Sequence, residues 1–133
     1  MRENKLPRKS SFFLKDILDS IEVIQEYIQE MDFEDFKQSR ITIDATVRNL
    51  EIIGEAIAQL PLEMKNKYKN IPWQEIKDFR NVVIHKYHQL DLEILWDILE
   101  HKLIILQKQI EEVFSKEAKW KYPSWAEEAG ARL

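Results

Sequence analysis

Apolar residues recur at Leu14, Ile17, Leu18, Ile21, Ile24 and Ile28, the alternating three and four spacing that lines one face of a helix. A first long helix is predicted there. Asp32 is placed to cap a short helical turn through Phe36, because its carboxylate can accept the unpaired backbone N–H groups at that end. A second long helix is predicted from about Arg40 to Leu60, with Ile43, Val47, Leu50, Gly54 and Ile57 along its buried stripe. Glycine costs about 1 kcal/mol of helix propensity relative to alanine, so Gly54 on that stripe implies that another backbone passes close by. Pro61 should stop this helix.

The connector PLEMKNKYKNIP is basic and has room for one helical turn. Pro72 suits the first position of a third helix, whose apolar face would carry Trp73, Ile76, Phe79 and Val83 and which stays apolar through Ile84. A fourth helix, capped by Asp91, is predicted as one uninterrupted stripe through Leu92, Leu95, Trp96, Leu99, Leu103, Leu106, Ile110 and Val113. From Lys116 the periodicity is lost, while Trp120, Tyr122 and Trp125 remain as candidates to dock the tail on the bundle or on a partner subunit. Four principal helices with short connectors predict an all-α, up-and-down four-helix bundle with short extra helical turns and a C-terminal tail. It is expected to be a single domain over residues 1–133, with a core at about 11–113 and an extension at 114–133.

Composition narrows this picture without changing it. Two glycines and four prolines are too few to turn an all-β chain of 133 residues. No cysteine is present, which removes disulfides, thiol nucleophiles and thiolate metal sites and suits a cytoplasmic setting. No apolar run approaches the roughly 18–20 residues of a membrane span, so no membrane association is expected. The net charge of −4 is unevenly spread. Residues 65–88 carry six Lys/Arg against Glu75 and Asp78, and residues 1–15 are also basic, whereas 16–64 and 89–133 are acidic. Such segregation permits local binding of an anion by an acidic protein, and it is also what an ordinary solvated surface can show.

The stretch RNVVIHKYHQL, residues 80–90, concentrates Arg80, His85, Tyr87 and His88 where the helical pattern ends. Arg80 and Tyr87, seven residues apart, nearly superimpose on an ideal helix, but Arg80 and His85 diverge by about 140°. Asn81 and His85 share a face at i and i+4, so Asn81 could fix the imidazole tautomer. Either the helix unwinds near His85 or the other half of a site comes from a second chain. A plain alternative is a helix C-terminus whose cationic side chains meet the last carbonyls.

RNVVIHKY also resembles the signature of the HEPN ribonucleases, specifically their HepT toxin branch. DATVRNLEIIGEAIAQL (44–60), IPWQEIKDFRNVVIHKY (71–87) and the Leu/Trp helix from Leu92 resemble that branch's second, third and fourth helices. The resemblance implies a homodimeric endoribonuclease toxin that needs no metal or other cofactor and acts on RNA. It further implies a minimal nucleotidyltransferase antitoxin that silences the toxin by transferring AMP to a motif tyrosine. Carried over by position, Arg80 and His85 are catalytic, Tyr87 is the modification site, and Asn81 and Lys86 support the site or bind RNA.

The chemistry suits these residue types. RNA carries its own nucleophile, the 2′-OH, so cleavage needs a proton acceptor, a cation for the pentacoordinate phosphate and a proton donor for the leaving 5′-oxygen. Histidine exchanges protons near neutrality and arginine offers a permanently charged fork. Other residues carry plainer expectations. Tyr87 could be a half-buried aromatic. His101 should be surface, and Trp73 and Trp96 core anchors. Glu51 and Glu55, at i and i+4 with Arg48 a turn earlier, read as an ion-paired solvated face before a metal or acid/base pair. The alternative function is a non-catalytic helical partner of a nucleotidyltransferase.

Overall fold

The computed structural model describes residues 8–79, 81 and 90–118. Its first helix, α1 (Arg8–Ile28), seats Leu14, Ile17, Ile21 and Ile24 with no exposed surface, and Ile28 beside them. Each such burial removes an aliphatic side chain from water, worth about 1.5–3 kcal/mol. Asp32 then caps α2 (Phe33–Lys37) as expected: it accepts the Asp35 N–H at 2.8 Å, and the Asp35 carboxylate accepts the Asp32 N–H at 3.2 Å. This reciprocal cap aims Phe36 into the core, where it and Phe33 pack on Trp96 with ring centroids 5.0 and 6.2 Å away.

Ser39 opens α3 (Arg40–Gln59), accepting the Thr42 N–H. The buried surface of α3 is wider than the expected stripe, because Thr46, Ile53 and Ala56 are enclosed alongside Ile43, Leu50 and Ile57. The helix has neighbours on two sides, α1 on one and α5 on the other. Pro61 ends α3 and its carbonyl starts α4 (Leu62–Lys67) by accepting the Met64 and Lys65 N–H groups. Thus the connector does contain a helical turn.

Helix α5 (Trp73–Lys77) begins one residue later than expected, with Pro72 in the cap position and its carbonyl accepting the Ile76 N–H at 3.0 Å. The expected unbroken third helix has a turn in it. The Asp78 N–H reaches the Gln74 and Glu75 carbonyls, and helical backbone is found again at Phe79 and Asn81. Val83 and Ile84 lie outside the described residues.

The fourth long helix departs from expectation in its middle. Asp91 caps α6 (Leu92–Asp97) by accepting the Ile94 N–H at 3.1 Å. A π-helical turn, Ile98–Lys102, follows, and α7 (Leu103–Ala118) completes the rod. The Leu103 N–H bonds the Ile98 carbonyl, five residues back. Ile98, Leu99 and Leu103 are all buried, and a plain α-helix would swing Ile98 about 140° from Leu103. The wider turn brings it back toward the core. Helix α7 lies against α1, where the amides of Gln25 and Gln107 donate to one another at 3.0 and 3.4 Å. The described residues contain no strand and no helix long and apolar enough to cross a membrane. The fold is an all-α helical bundle.

Candidate functional site

Of the residues that the sequence singles out, Asn81 is described, exposed and helical, while Arg80, His85, Lys86 and Tyr87 lie outside the described residues, as do Trp120, Tyr122 and Trp125. Asn81 opens onto a groove of about 400 Å³ between α3 and α5. Leu50, Gly54 and Ala58 form an apolar strip along it, Glu51 and Glu55 its carboxylates, and Lys77 its cation.

What sets the width of this groove is the approach of one backbone to another. A Cβ built on Gly54 would stand 3.0 Å from the Lys77 carbonyl oxygen, closer than side-chain carbons ordinarily come to a neighbour. Only glycine lets α5 approach α3 to this depth. The close passage inferred from Gly54 is therefore present, and its partner is the last residue of α5, four positions before Asn81.

On the α3 side, Arg48 pairs with carboxylates of its own helix. The Arg48 guanidinium stands 3.5 Å from Glu51 and 3.9 Å from Glu55, and Glu55 is 70% exposed against 29% for Glu51. This is the ion-paired helix face expected of the three residues, and among the described residues no group of three or more His, Asp or Glu could hold a metal. His101 is likewise a surface residue, its Nδ1 3.0 Å from Asp97.

Helix α4 lies outside the lining of this groove. Lys65, the last residue but two of α4, has its affinity for a proton lowered, first by its own burial and then by the charge of Lys77. Trp73 sits between these elements, largely buried, with its indole N–H shared between the carbonyls of Lys65 at 3.2 Å and Tyr68 at 3.1 Å. It is a core anchor, as is Trp96.

Sequence reasoning missed a second cluster nearby. Glu117, in the last turn of α7, is 7% exposed and accepts both the Lys67 ammonium at 2.8 Å and the Tyr68 hydroxyl. Burial, then the hydrogen bond and negative charge of Glu117, push the Tyr68 phenol well above its usual range. The partners are about fifty residues apart, and only the basic-aromatic pair Lys67–Tyr68 hinted at them.

The described residues form an all-α bundle, consistent with the HEPN-like class. The family described as "Ribonuclease HepT-like" matches residues 17–113, and this chain belongs to it. A Thermococcus cleftensis protein named "Probable ribonuclease HepT" is 35% identical over 108 residues, 81% of this chain and 98% of that protein. A "Putative RNase" of Caldanaerobacter subterraneus subsp. tengcongensis is 37% identical over 113 residues, 85% of this chain and 98% of its own length. A Methanocaldococcus jannaschii protein named "Gamma-glutamylcyclotransferase and putative RNase" is 41% identical over 98 residues, 74% of this chain. The alignment takes in only 44% of that longer protein. No solved structure matches the chain.

Proposed function

We propose that this chain is the endoribonuclease toxin of a toxin–antitoxin pair, a single domain that works as a homodimer in the cytoplasm and cleaves RNA without a metal ion. The observation that carries this reading is the family match, whose span of residues 17–113 contains the whole Arg80–Tyr87 motif. His85 accepts the proton of the 2′-OH, the 2′-oxygen bonds to phosphorus, and the bond to the 5′-oxygen breaks as that oxygen takes up a proton. Arg80 balances the added charge on the pentacoordinate phosphate. The products are a 2′,3′-cyclic phosphate and a 5′-hydroxyl. The family resemblance implies that the motif of a second copy completes the site, which would also answer the divergence of about 140° between Arg80 and His85 on a regular helix. Asn81 orients His85, and Lys86 contacts RNA.

Silencing follows from the same stretch. A nucleotidyltransferase antitoxin joins the Tyr87 oxygen to the α-phosphate of ATP and releases pyrophosphate. The attached AMP sets a competing phosphate and a bulky adenine one helical repeat from Arg80.

The test is cleavage of single-stranded RNA by purified protein in EDTA. The wild type is expected to give cyclic-phosphate ends, and His85→Ala and Arg80→Ala to give none. Equal activity in all three refutes the assignment. Harmless expression, together with a complex with the transferase that survives His85→Ala, would instead identify a non-catalytic partner.

A further inference from the structure

A second groove, of about 370 Å³, runs between α1 and α7 and shares no residue with the one beside Asn81. Its floor is apolar, for Leu18 and Phe114 pack against the core and are only partly buried by it. Its rim is acidic. Asp19 and Glu22 stand on α1 and Glu111 on α7. Lys15, the cation that lines it, is already paired with Asp19 at 3.2 Å, whereas Glu22 and Glu111 are exposed and make no ion pair among the described residues. An apolar floor under unneutralised carboxylates suits an occupant that is both apolar and cationic, and it repels a polyanion such as RNA.

The chain carries such a segment within reach. On α7 the lining residues Gln107, Glu111 and Phe114 follow one another at steps of four and three, and Ala118, which ends the helix, is next on the same face. The groove therefore runs toward the C-terminal end of α7. Beyond Ala118 the sequence continues KWKYPSW, residues 119–125, which sets Lys119 and Lys121 among Trp120, Tyr122 and Trp125 with no carboxylate before Glu127. These residues lie outside the described ones. Extended over 119–125 the chain spans up to about 25 Å, against about 16 Å along the helix axis from Ala118 back to Gln107. The segment can thus cover the whole groove. Pro123 favours extended backbone at Tyr122, and extended backbone puts Trp120 and Tyr122 on one side and the two lysines on the other.

We propose that residues 119–125 fold back on their own bundle and fill this groove. Trp120 and Tyr122 cover Leu18 and Phe114, and the stems of Lys119 and Lys121 carry their ammonium groups to Glu22 and Glu111 on the rim. A segment tethered this closely meets the groove at high effective concentration, so modest contacts suffice. Such a seat is independent of the ribonuclease reading. Trypsin tests it, because cleavage after Lys119 and Lys121 samples the undocked tail. Full-length protein is digested, the fragments are identified by mass, and each rate is divided by that of a synthetic peptide with the same tail sequence. The wild type is expected to be cut more slowly than its peptide. Glu22→Gln/Glu111→Gln removes two exposed ion pairs, together worth about 2- to 30-fold in the docking equilibrium, and should speed cleavage by that factor. Glu93→Gln/Glu100→Gln, at exposed carboxylates outside the groove, should leave the rate unchanged.

Trp120→Ser leaves every described residue in place and should also speed cleavage relative to a peptide with the same change. Circular dichroism melts identify any variant that fails to fold. A wild type cut as fast as its peptide overturns the docking. Protection that persists in Glu22→Gln/Glu111→Gln overturns this groove as the seat and puts the tail on another face or on a second copy. Equal acceleration by Glu93→Gln/Glu100→Gln reduces the effect to overall charge and overturns it as well.

Discussion

Replacing Gly54 by alanine sets two effects of known sign against each other. In an open helical position the change should stabilise the chain by about 1 kcal/mol through helix propensity. At Gly54 the new methyl would meet the Lys77 carbonyl oxygen at 3.0 Å, and neither helix backbone can yield without moving the side chains packed around it. Overpacking of this kind costs typically about 1–3 kcal/mol. The expected net is a loss of about 1 kcal/mol, roughly 4 °C in Tm for a domain of this size. Urea unfolding measures it, with Ala58→Gly as the reference. Ala58 is exposed in the last turn of the same helix, so that change should cost less than the roughly 1 kcal/mol of an interior position. Because Lys77 and Asn81 would be pushed away from α3 together, RNA cleavage should fall more than stability. A Gly54→Ala protein that gains about 1 kcal/mol would show that α5 is not held by this close approach, and the explanation of the groove's width would be wrong.

Tyr68 gives a pH dependence of definite sign. Its phenol is raised above its ordinary value, so above pH ~10 the unfolded chain loses a proton that the folded chain keeps, and stability falls as pH rises. Tyr68→Phe should therefore flatten the loss of stability above pH ~10 in thermal melts; an identical alkaline decline in the variant would exclude Tyr68 as its source. Asp91→Ala removes the carboxylate that accepts the Ile94 N–H and should cost about 1 kcal/mol in denaturant unfolding, while no change would mean that the cap is not formed in solution. For Tyr87, incubation with the cognate transferase and ATP should add AMP by intact mass in the wild type and not in Tyr87→Phe, and equal increments in the two proteins would place the modification elsewhere.

The fold was readable where the local pattern and the tertiary environment agree. The spacing of Leu14 to Ile28, the caps at Asp32 and Asp91 and the stop at Pro61 are short-range features, and each is present. Gly54 was legible for a different reason: a residue that weakens its own helix must be compensated by a neighbour, and Lys77 is that neighbour. The misreadings arise where distant parts of the chain decide. Nothing within a few residues of Ile98 predicts that both it and Leu99 are enclosed, so the π turn is invisible to a count of threes and fours. The enclosure of Glu117 by Lys67 and Tyr68 likewise depends on how α4 lies against its neighbours. The motif itself was recognised by resemblance, since 3.6-residue geometry alone would separate Arg80 from His85.

The widened turn at Ile98–Lys102 also bears on how this rod can change in length. It holds one residue more than an α turn, so removing exposed Glu100 would leave Leu103 three and four positions from Leu99 and Ile98, an ordinary helical repeat. The same deletion a turn or two later, at Gln109 for instance, would rotate everything beyond it by about 100° and pull Glu117 away from Lys67 and Tyr68. Single-residue gaps among relatives in this helix should therefore gather at the widened turn, where the helix can shorten without losing its alignment to the rest of the bundle.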